Sequence, residues 1–209
     1  MNFLRSYREP LPLALPLAHA ESRRQEIAGL KLADAAMLEF NTQLQGVRQR
    51  APSVDADQIA SLARWLQTLP EETAEATINL RLARAESLRQ MLDDPDWSLP
   101  ADVAQRGRQL IDYIRNFDDL IPDDLRLIGH LDDALLVELS WSEFAGELQD
   151  YLDYRRFCSK GTFRGTASER RTAWESACLA EASAMMHRQE VRERGYSRPL
   201  RLSQPFRVC

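Results

Sequence analysis

A short stretch of the chain, residues 118–133, concentrates the side chains that could do chemistry. Its sequence, DDLIPDDLRLIGHLDD, holds six aspartates and one histidine around a proline and a glycine. Carboxylate oxygens are the ligands that Mg²⁺ and Ca²⁺ prefer, and an imidazole adds a nitrogen ligand or a base. As an alternative to a structural role, the pattern indicates a metal-dependent enzyme, for example a hydrolase, with the candidate ligands Asp119, Asp123, His130, Asp132 and Asp133.

The same aspartates are suited to a structural role. An aspartate at a helix N-terminus accepts backbone N–H bonds, which contributes about 1 kcal/mol. Four carboxylates converging within about 4 Å would repel by about 4 kcal/mol per pair. Convergence would therefore require a proton, an arginine or a cation such as Mg²⁺ or Ca²⁺. The sequence favours helix caps that fix a hairpin, and leaves a bound cation and an acidic docking surface as alternatives.

Helical periodicity runs through almost the whole chain, and no segment alternates with period two for long enough to predict a strand. The predicted fold class is all-α, an antiparallel multi-helix bundle with an acidic helical-hairpin turn. Gly129 is expected in the left-handed conformation that ends a single turn over 122–128. The other predicted helices are 22–49, one capped by Ser53 or Asp55, one opened by a Thr68–Glu71 capping box, 101–116, 132–157, and one from a Thr166–Glu169 cap to Arg194.

Breaks in this pattern predict four regions. They are a proline-rich N-terminal arm over 1–21, a helical region over 22–96, a helical hairpin over 101–158, and a C-terminal helix with a basic extended tail over 159–209. Pro10, Pro12 and Pro16 predict that the arm is extended. Met185 and Met186, with Trp174 and Ala177, are interpreted as core packing.

Charge is distributed unevenly along the chain. Residues 155–209 carry 12 basic and 5 acidic residues, a net charge of +7, whereas residues 1–154 carry a net charge of −12. This asymmetry predicts a basic surface that meets an acidic protein partner or a second copy, unless the two parts neutralise each other within one fold. The candidate partner-binding residues are Arg188, Arg192, Arg194, Arg198, Arg201 and Arg207. Few aromatic residues lie among them, so the sequence favours a protein partner over nucleic acid.

The remaining motifs argue against familiar chemistry. The segment KGTFRGT lacks the order of a phosphate-binding loop, and the serine-hydrolase, zinc-protease and dinucleotide-binding patterns do not occur. No catalytic residue is therefore nominated. No apolar run is long enough for a membrane span. Three cysteines without zinc spacing predict a reduced, cytoplasmic protein. The sequence favours a non-catalytic helical interaction protein over the metal-dependent enzyme. This protein is expected to dock a protein partner or itself through the acidic turn and a basic C-terminal arm, which carries the six candidate arginines.

The acidic stretch resembles the YkvA-like family of small helical domains of unknown function. The resemblance rests on Asp119-Leu120-Ile121-Pro122-Asp123, a five-residue gap, Gly129, and then Leu131-Asp132-Asp133. It covers about residues 101–158, and it implies a helical hairpin around the acidic turn. Many relatives continue into a strongly hydrophobic helix, whereas this chain carries Glu138, Glu143, Glu147 and Asp150 there.

Overall fold

A computed structural model describes residues 11, 26–27, 30–116, 120–161 and 165–193. Within these residues the chain forms seven α-helices. They are α1 (Asp34–Val47), α2 (Ala56–Thr68), α3 (Glu71–Asp93), α4 (Ala101–Ile114), α5 (Leu131–Ser140), α6 (Ala145–Ser159) and α7 (Ala167–Glu193). A 3₁₀ turn, Trp141–Glu143, joins α5 to α6. The predicted all-α helical bundle is confirmed.

The chain divides into two compact units, Met1–Leu152 and Asp153–Cys209, and the boundary falls within α6. In the first unit α5 is the central helix and packs against α1, α3 and α4. Nine of its ten residues are buried, and the exception is Glu138. The break predicted at 93–100 separates α3 from α4 inside this unit. Of the predicted N-terminal arm only Leu11 is described, and its side chain is buried.

Two predicted helices have different bounds in the structure. The helix predicted over 22–49 begins only at Asp34, and before it Glu26–Ile27 pairs antiparallel with Leu30–Lys31. An acidic residue in the first turn favours a start at Asp34. The helix predicted over 132–157 is interrupted after Ser140, whose hydroxyl donates to the carbonyl of Leu136 at 2.7 Å. Such a bond back to the helix backbone bends helices.

The predicted caps have mixed outcomes. Asp55 and Gln58 form a complete capping box at α2, with N–H to side-chain distances of 2.8 and 3.0 Å. Thr166 and Glu169 form the predicted box at α7. The box predicted from Thr68 to Glu71 is wrong, because the Thr68 hydroxyl donates to the carbonyl of Trp65 instead. Pro70 is the residue before α3, and it offers no side-chain cap.

Candidate functional site

The acidic turn, residues 120–133, is a series of hydrogen-bonded turns that leads into α5. Backbone bonds join Leu125 to Pro122 at 3.1 Å and Gly129 to Leu125 at 2.7 Å. The left-handed residue is Leu127, with φ of 69°, so the prediction for Gly129 is wrong. Gly129 is needed for a different reason. A Cβ at this position would overlap the backbone of Asp123. This close approach brings His130 beside Asp123.

Three of the predicted ligands converge at the end of this turn. The Nδ1 atom of His130 lies 2.9 Å from Oδ1 of Asp123 and 3.3 Å from Oδ2 of Asp133. One donor atom from each residue lies within 4.8 Å of the other two. The side chain of Asp133 is 2% exposed, whereas those of Asp123 and His130 are 37% and 47% exposed. A buried carboxylate therefore forms the base of a cluster that opens to solvent.

The cluster borders a cavity with a volume of about 400 Å³. Asp123 and His130 line one side of it, and Glu75 and Asn79 of α3 line another. Apolar side chains, including Ile78 and Leu125, complete the wall. With oxygen and nitrogen donors already close together, the arrangement can hold one divalent cation. Without an ion, the same geometry is that of a single Nδ1–H of His130 shared between the carboxylates of Asp123 and Asp133.

Asp132 faces away from this cluster, contrary to the prediction that it is a ligand beside Asp133. It is fully buried, and its Oδ2 accepts from the Tyr113 hydroxyl and from the N–H of Ile121, both at 3.2 Å. Its Oδ1 has no hydrogen-bond partner within the described residues. Burial raises the pKa of Asp132 to about 6, although the bonds from Ile121 and Tyr113 oppose this shift. Asp132 thus holds the start of the acidic turn against α4.

The prediction that aspartates begin α5 is confirmed for Asp132 and Asp133, which occupy its first turn. The residue at the N-cap is His130, and it makes no side-chain cap bond. The remaining predicted ligand, Asp119, lies outside the described residues. Tyr113 was missed by the sequence analysis, because nothing local links a tyrosine on α4 to an aspartate 19 residues later.

Another cavity, with a volume of about 930 Å³, lies between α1 and α4. Amide and charged side chains from both helices line it, among them Gln43, Gln105 and Arg108. Tyr113 lines this cavity as well as contacting Asp132. The three converging ligands are not among its lining residues. The larger cavity and the cluster are therefore separate features of the first unit.

The second unit carries a long exposed helix. Near its start, Trp174 packs edge-on against Tyr154 with ring centroids 5.9 Å apart, and its indole N–H donates to Asp153 at 3.0 Å. After Trp174 every residue to Glu193 is exposed except the half-buried Cys178. Leu179 and Met186 are 70% and 67% exposed. The interpretation of Met185 and Met186 as core residues is therefore wrong.

These exposed apolar residues share one side of α7. Helical spacing places Leu179, Ala182 and Met186 in line, with Met185 beside them. We call these four residues the α7 face. Arg188 and Arg192 of the predicted basic arm lie on the same helix and are exposed. The other predicted residues, Arg194, Arg198, Arg201 and Arg207, lie outside the described part of the chain. The α7 face escaped the sequence analysis because an exposed stripe and a core stripe have the same periodicity.

Comparisons with protein-family models, with curated proteins and with solved structures found no match. The resemblance to the YkvA-like family therefore rests on the residues of the acidic stretch and stays a prediction. Within the described residues, no helix combines the length and the hydropathy needed to cross a membrane.

Proposed function

We propose that this chain is a non-catalytic helical interaction protein that docks a protein partner through the α7 face. The observation that carries the proposal is the exposure of Leu179, Met185 and Met186 on a helix that has only one buried residue, Trp174. Contiguous exposed apolar side chains are unfavourable in water, and they typically mark binding surfaces.

The spacing of these residues supports helix-in-groove recognition. Leu179, Ala182 and Met186 have the i, i+3, i+7 pattern of anchors on helices that bind in apolar grooves. Methionine side chains are flexible and polarisable, which suits a surface that adapts to a partner. Most of the stability of a helix in a protein comes from packing of its apolar face, so burial of the α7 face on a partner would also stabilise the helix itself.

Charge supports the same proposal. In this proposal the basic arm and the acidic turn are additional, charged docking surfaces. Asp123 and Asp124 of the acidic turn are exposed. A reduced, cytoplasmic setting is also part of it, supported by the absence of a disulfide at Cys158 and Cys178 within the described residues.

Site-specific photocrosslinking in the cells that make the protein tests this function. A photoreactive amino acid replaces Met186 on the α7 face, and Ala184 on the opposite side of the helix serves as the matched control. We expect a discrete adduct from position 186 that is absent from position 184 and is lost when Leu179→Glu is added. No adduct at position 186, or equal adducts at both positions, would show that the α7 face is not a docking surface.

A second candidate function is that of a metal-dependent enzyme, and one observation favours it. Asp123, His130 and Asp133 bring oxygen and nitrogen donors within 4.8 Å of one another beside a cavity. In this hypothesis the three side chains bind a divalent cation, which would supply a Lewis acid or an activated water for hydrolysis. Asp132 is not a ligand in it, since its Oδ2 accepts from Tyr113 and Ile121.

Calorimetric titration of Mg²⁺, Ca²⁺, Mn²⁺ and Zn²⁺ into chelator-treated protein tests this candidate. We expect binding of one ion per chain that is lost in Asp123→Asn and in His130→Ala. Asp124→Asn is the matched control, because Asp124 is exposed in the same turn and lies outside the cluster. Absence of heat and of a thermal shift with all four metals would exclude the candidate.

A further inference from the structure

We infer that the partner of the α7 face is a second copy of this chain, with the two α7 helices packed antiparallel. The inference rests on the proposed function and names the occupant of its docking surface. It depends on the order of apolar and charged residues along the exposed part of α7, which becomes self-complementary when one helix is reversed.

The part of α7 that follows Trp174 has a seven-residue pattern. Residues seven apart return to nearly the same side of a helix, and alternate steps of three and four form the seam of a coiled coil. Cys178, Ala182, Met185 and Gln189 follow these steps. Leu179 and Met186, which are seven apart, flank one edge of the seam. Glu181 and Arg188, also seven apart, flank the other edge.

Reversal of one helix matches these positions in pairs. In a two-fold symmetric pair, residue i of one copy meets residue j of the other, and j meets i. Ala182 meets Met185 of the second copy, so that a small side chain faces a large one. Along one edge Leu179 meets Met186 of the second copy, and along the other Glu181 meets Arg188. Each of these contacts occurs twice.

The charged pair selects this orientation. Glu181 and Arg188 are exposed, and within the described residues the Nε of Arg188 donates to the carbonyl of Ala184 at 3.2 Å rather than to a carboxylate. Two turns of helix, about 10 Å, separate them along their own helix, which is too far for a direct contact. A parallel pair would place Ala182 opposite Ala182 and each charged residue beside the apolar edge. The antiparallel pair instead places opposite charges together, which is how edge residues set orientation in coiled coils.

The pairing is expected to be weak. The seam from Cys178 to Gln189 is about 18 Å long, or about three turns of helix. Such a contact lies at the small end of specific protein interfaces. Association should therefore depend on protein concentration in the micromolar to millimolar range.

Sedimentation equilibrium of the full chain, with the charges at positions 181 and 188 reversed one at a time, tests the inference. Glu181→Arg and Arg188→Glu each place like charges together twice, and we expect each to weaken self-association by about tenfold. A mixture of the two variants restores opposite charges in both pairs. We therefore expect the mixture to associate as tightly as the unaltered chain, as a heterodimer. Ala184→Arg, which adds a charge on the opposite side of α7, should leave association unchanged.

The outcomes separate this inference from the proposed function. A chain that stays monomeric over the whole range overturns the inference. The proposed function would still stand if position 186 then crosslinked to a protein of another mass in cells. Self-association that is insensitive to both charge changes, or a mixture no tighter than its components, would overturn the antiparallel pairing. Tighter association in the mixture than in either variant alone would support it.

Discussion

At the scale of single residues, two neighbouring aspartates have different environments. Asp133 contributes a buried carboxylate to the cluster with His130, whereas Asp132 points toward α4 and accepts from Tyr113. Successive residues on a helix project about 100° apart, which is why adjacent side chains separate in this way. The sequence shows that both stand at the start of a helix. It does not show which one meets which neighbour, because those neighbours come from other elements.

The raised pKa of Asp132 predicts that the free energy of unfolding depends on pH. Its pKa is about 6 in the folded chain, against about 3.9 for an unfolded aspartate. The folded state therefore binds the extra proton between these pH values. The free energy of unfolding should decrease by about 3 kcal/mol as pH rises from about 4 to about 6. Urea unfolding at a series of pH values measures this change.

Asp132→Asn is the matching variant for this test. Its amide oxygen can still accept from Ile121 and Tyr113, but the side chain no longer titrates. The contribution to stability between pH 4 and 6 should therefore disappear while the fold is retained. If the pH profiles of the variant and the unaltered chain were parallel, Asp132 would not be the titrating group.

Removal of the negative charge of Glu138 is expected to have a large effect on the free energy of unfolding. It is the residue of α5 that is not buried, and its Oε2 accepts from Arg81 at 3.1 Å and from Arg84 at 3.0 Å. The Arg81 side chain is 1% exposed, and burial lowers the pKa of Arg81 while Glu138 opposes this effect. Glu138→Gln should lower the free energy of unfolding by about 2–4 kcal/mol, because it leaves a buried guanidinium without its counter-charge.

The control for Glu138 is another glutamate paired with an arginine. Glu86 accepts from Arg89 on the exposed side of α3. Glu86→Gln should leave the urea midpoint almost unchanged, because exposed ion pairs contribute little. Equal effects of the two substitutions would contradict the importance of burial for the Arg81–Glu138 pair.

At the scale of elements, Gly129 and Gly146 predict opposite effects of the same substitution. A Cβ at Gly129 would overlap the backbone of Asp123, whereas a Cβ at Gly146 in α6 meets nothing within 4 Å. Gly129→Ala should lower the free energy of unfolding by about 1–3 kcal/mol, because backbone atoms cannot move aside without distorting the acidic turn. Gly146→Ala should raise it by about 0.5 kcal/mol through helix propensity.

Thermal unfolding of the two glycine variants measures this difference. The expected result is a lower midpoint for Gly129→Ala and an equal or higher one for Gly146→Ala. If Gly129→Ala were as stable as the unaltered chain, the close approach between Gly129 and Asp123 would not be a constraint on the turn.

Elements that depend on residues close together in the sequence could be predicted, whereas other features of the fold could not. The core of α2, with Ile59, Leu62 and Leu66 buried, depends on residues a few positions apart, and so do the confirmed caps at Asp55 and Thr166. Such local patterns can be recognised in a sequence. The interruption at Trp141–Glu143 could not, because the helical stripe of apolar residues continues through it. Likewise, periodicity alone cannot distinguish the exposed α7 face from a core.

At the scale of the whole molecule, the central helix of the first unit is almost fully buried, whereas the long helix of the second unit is mostly exposed. The first unit surrounds α5 with other helices, whereas α7 in the second unit has Trp174 as its one buried residue. The residues from 155 onward also carry a net charge of +7, opposite in sign to those before them. An exposed apolar face and an uneven charge both support the proposal that this chain docks a protein partner.

Hydrogen exchange along α7 tests most directly the central claim that a second copy of this chain docks on the α7 face. An unpartnered helix exchanges its amide hydrogens rapidly, whereas a docked helix is protected. We predict that the protection of residues 179–193 increases with protein concentration and is lost in the double variant Leu179→Glu/Met186→Glu, while α5 stays protected throughout. Equally fast exchange of α7 at every concentration in both proteins would contradict the account.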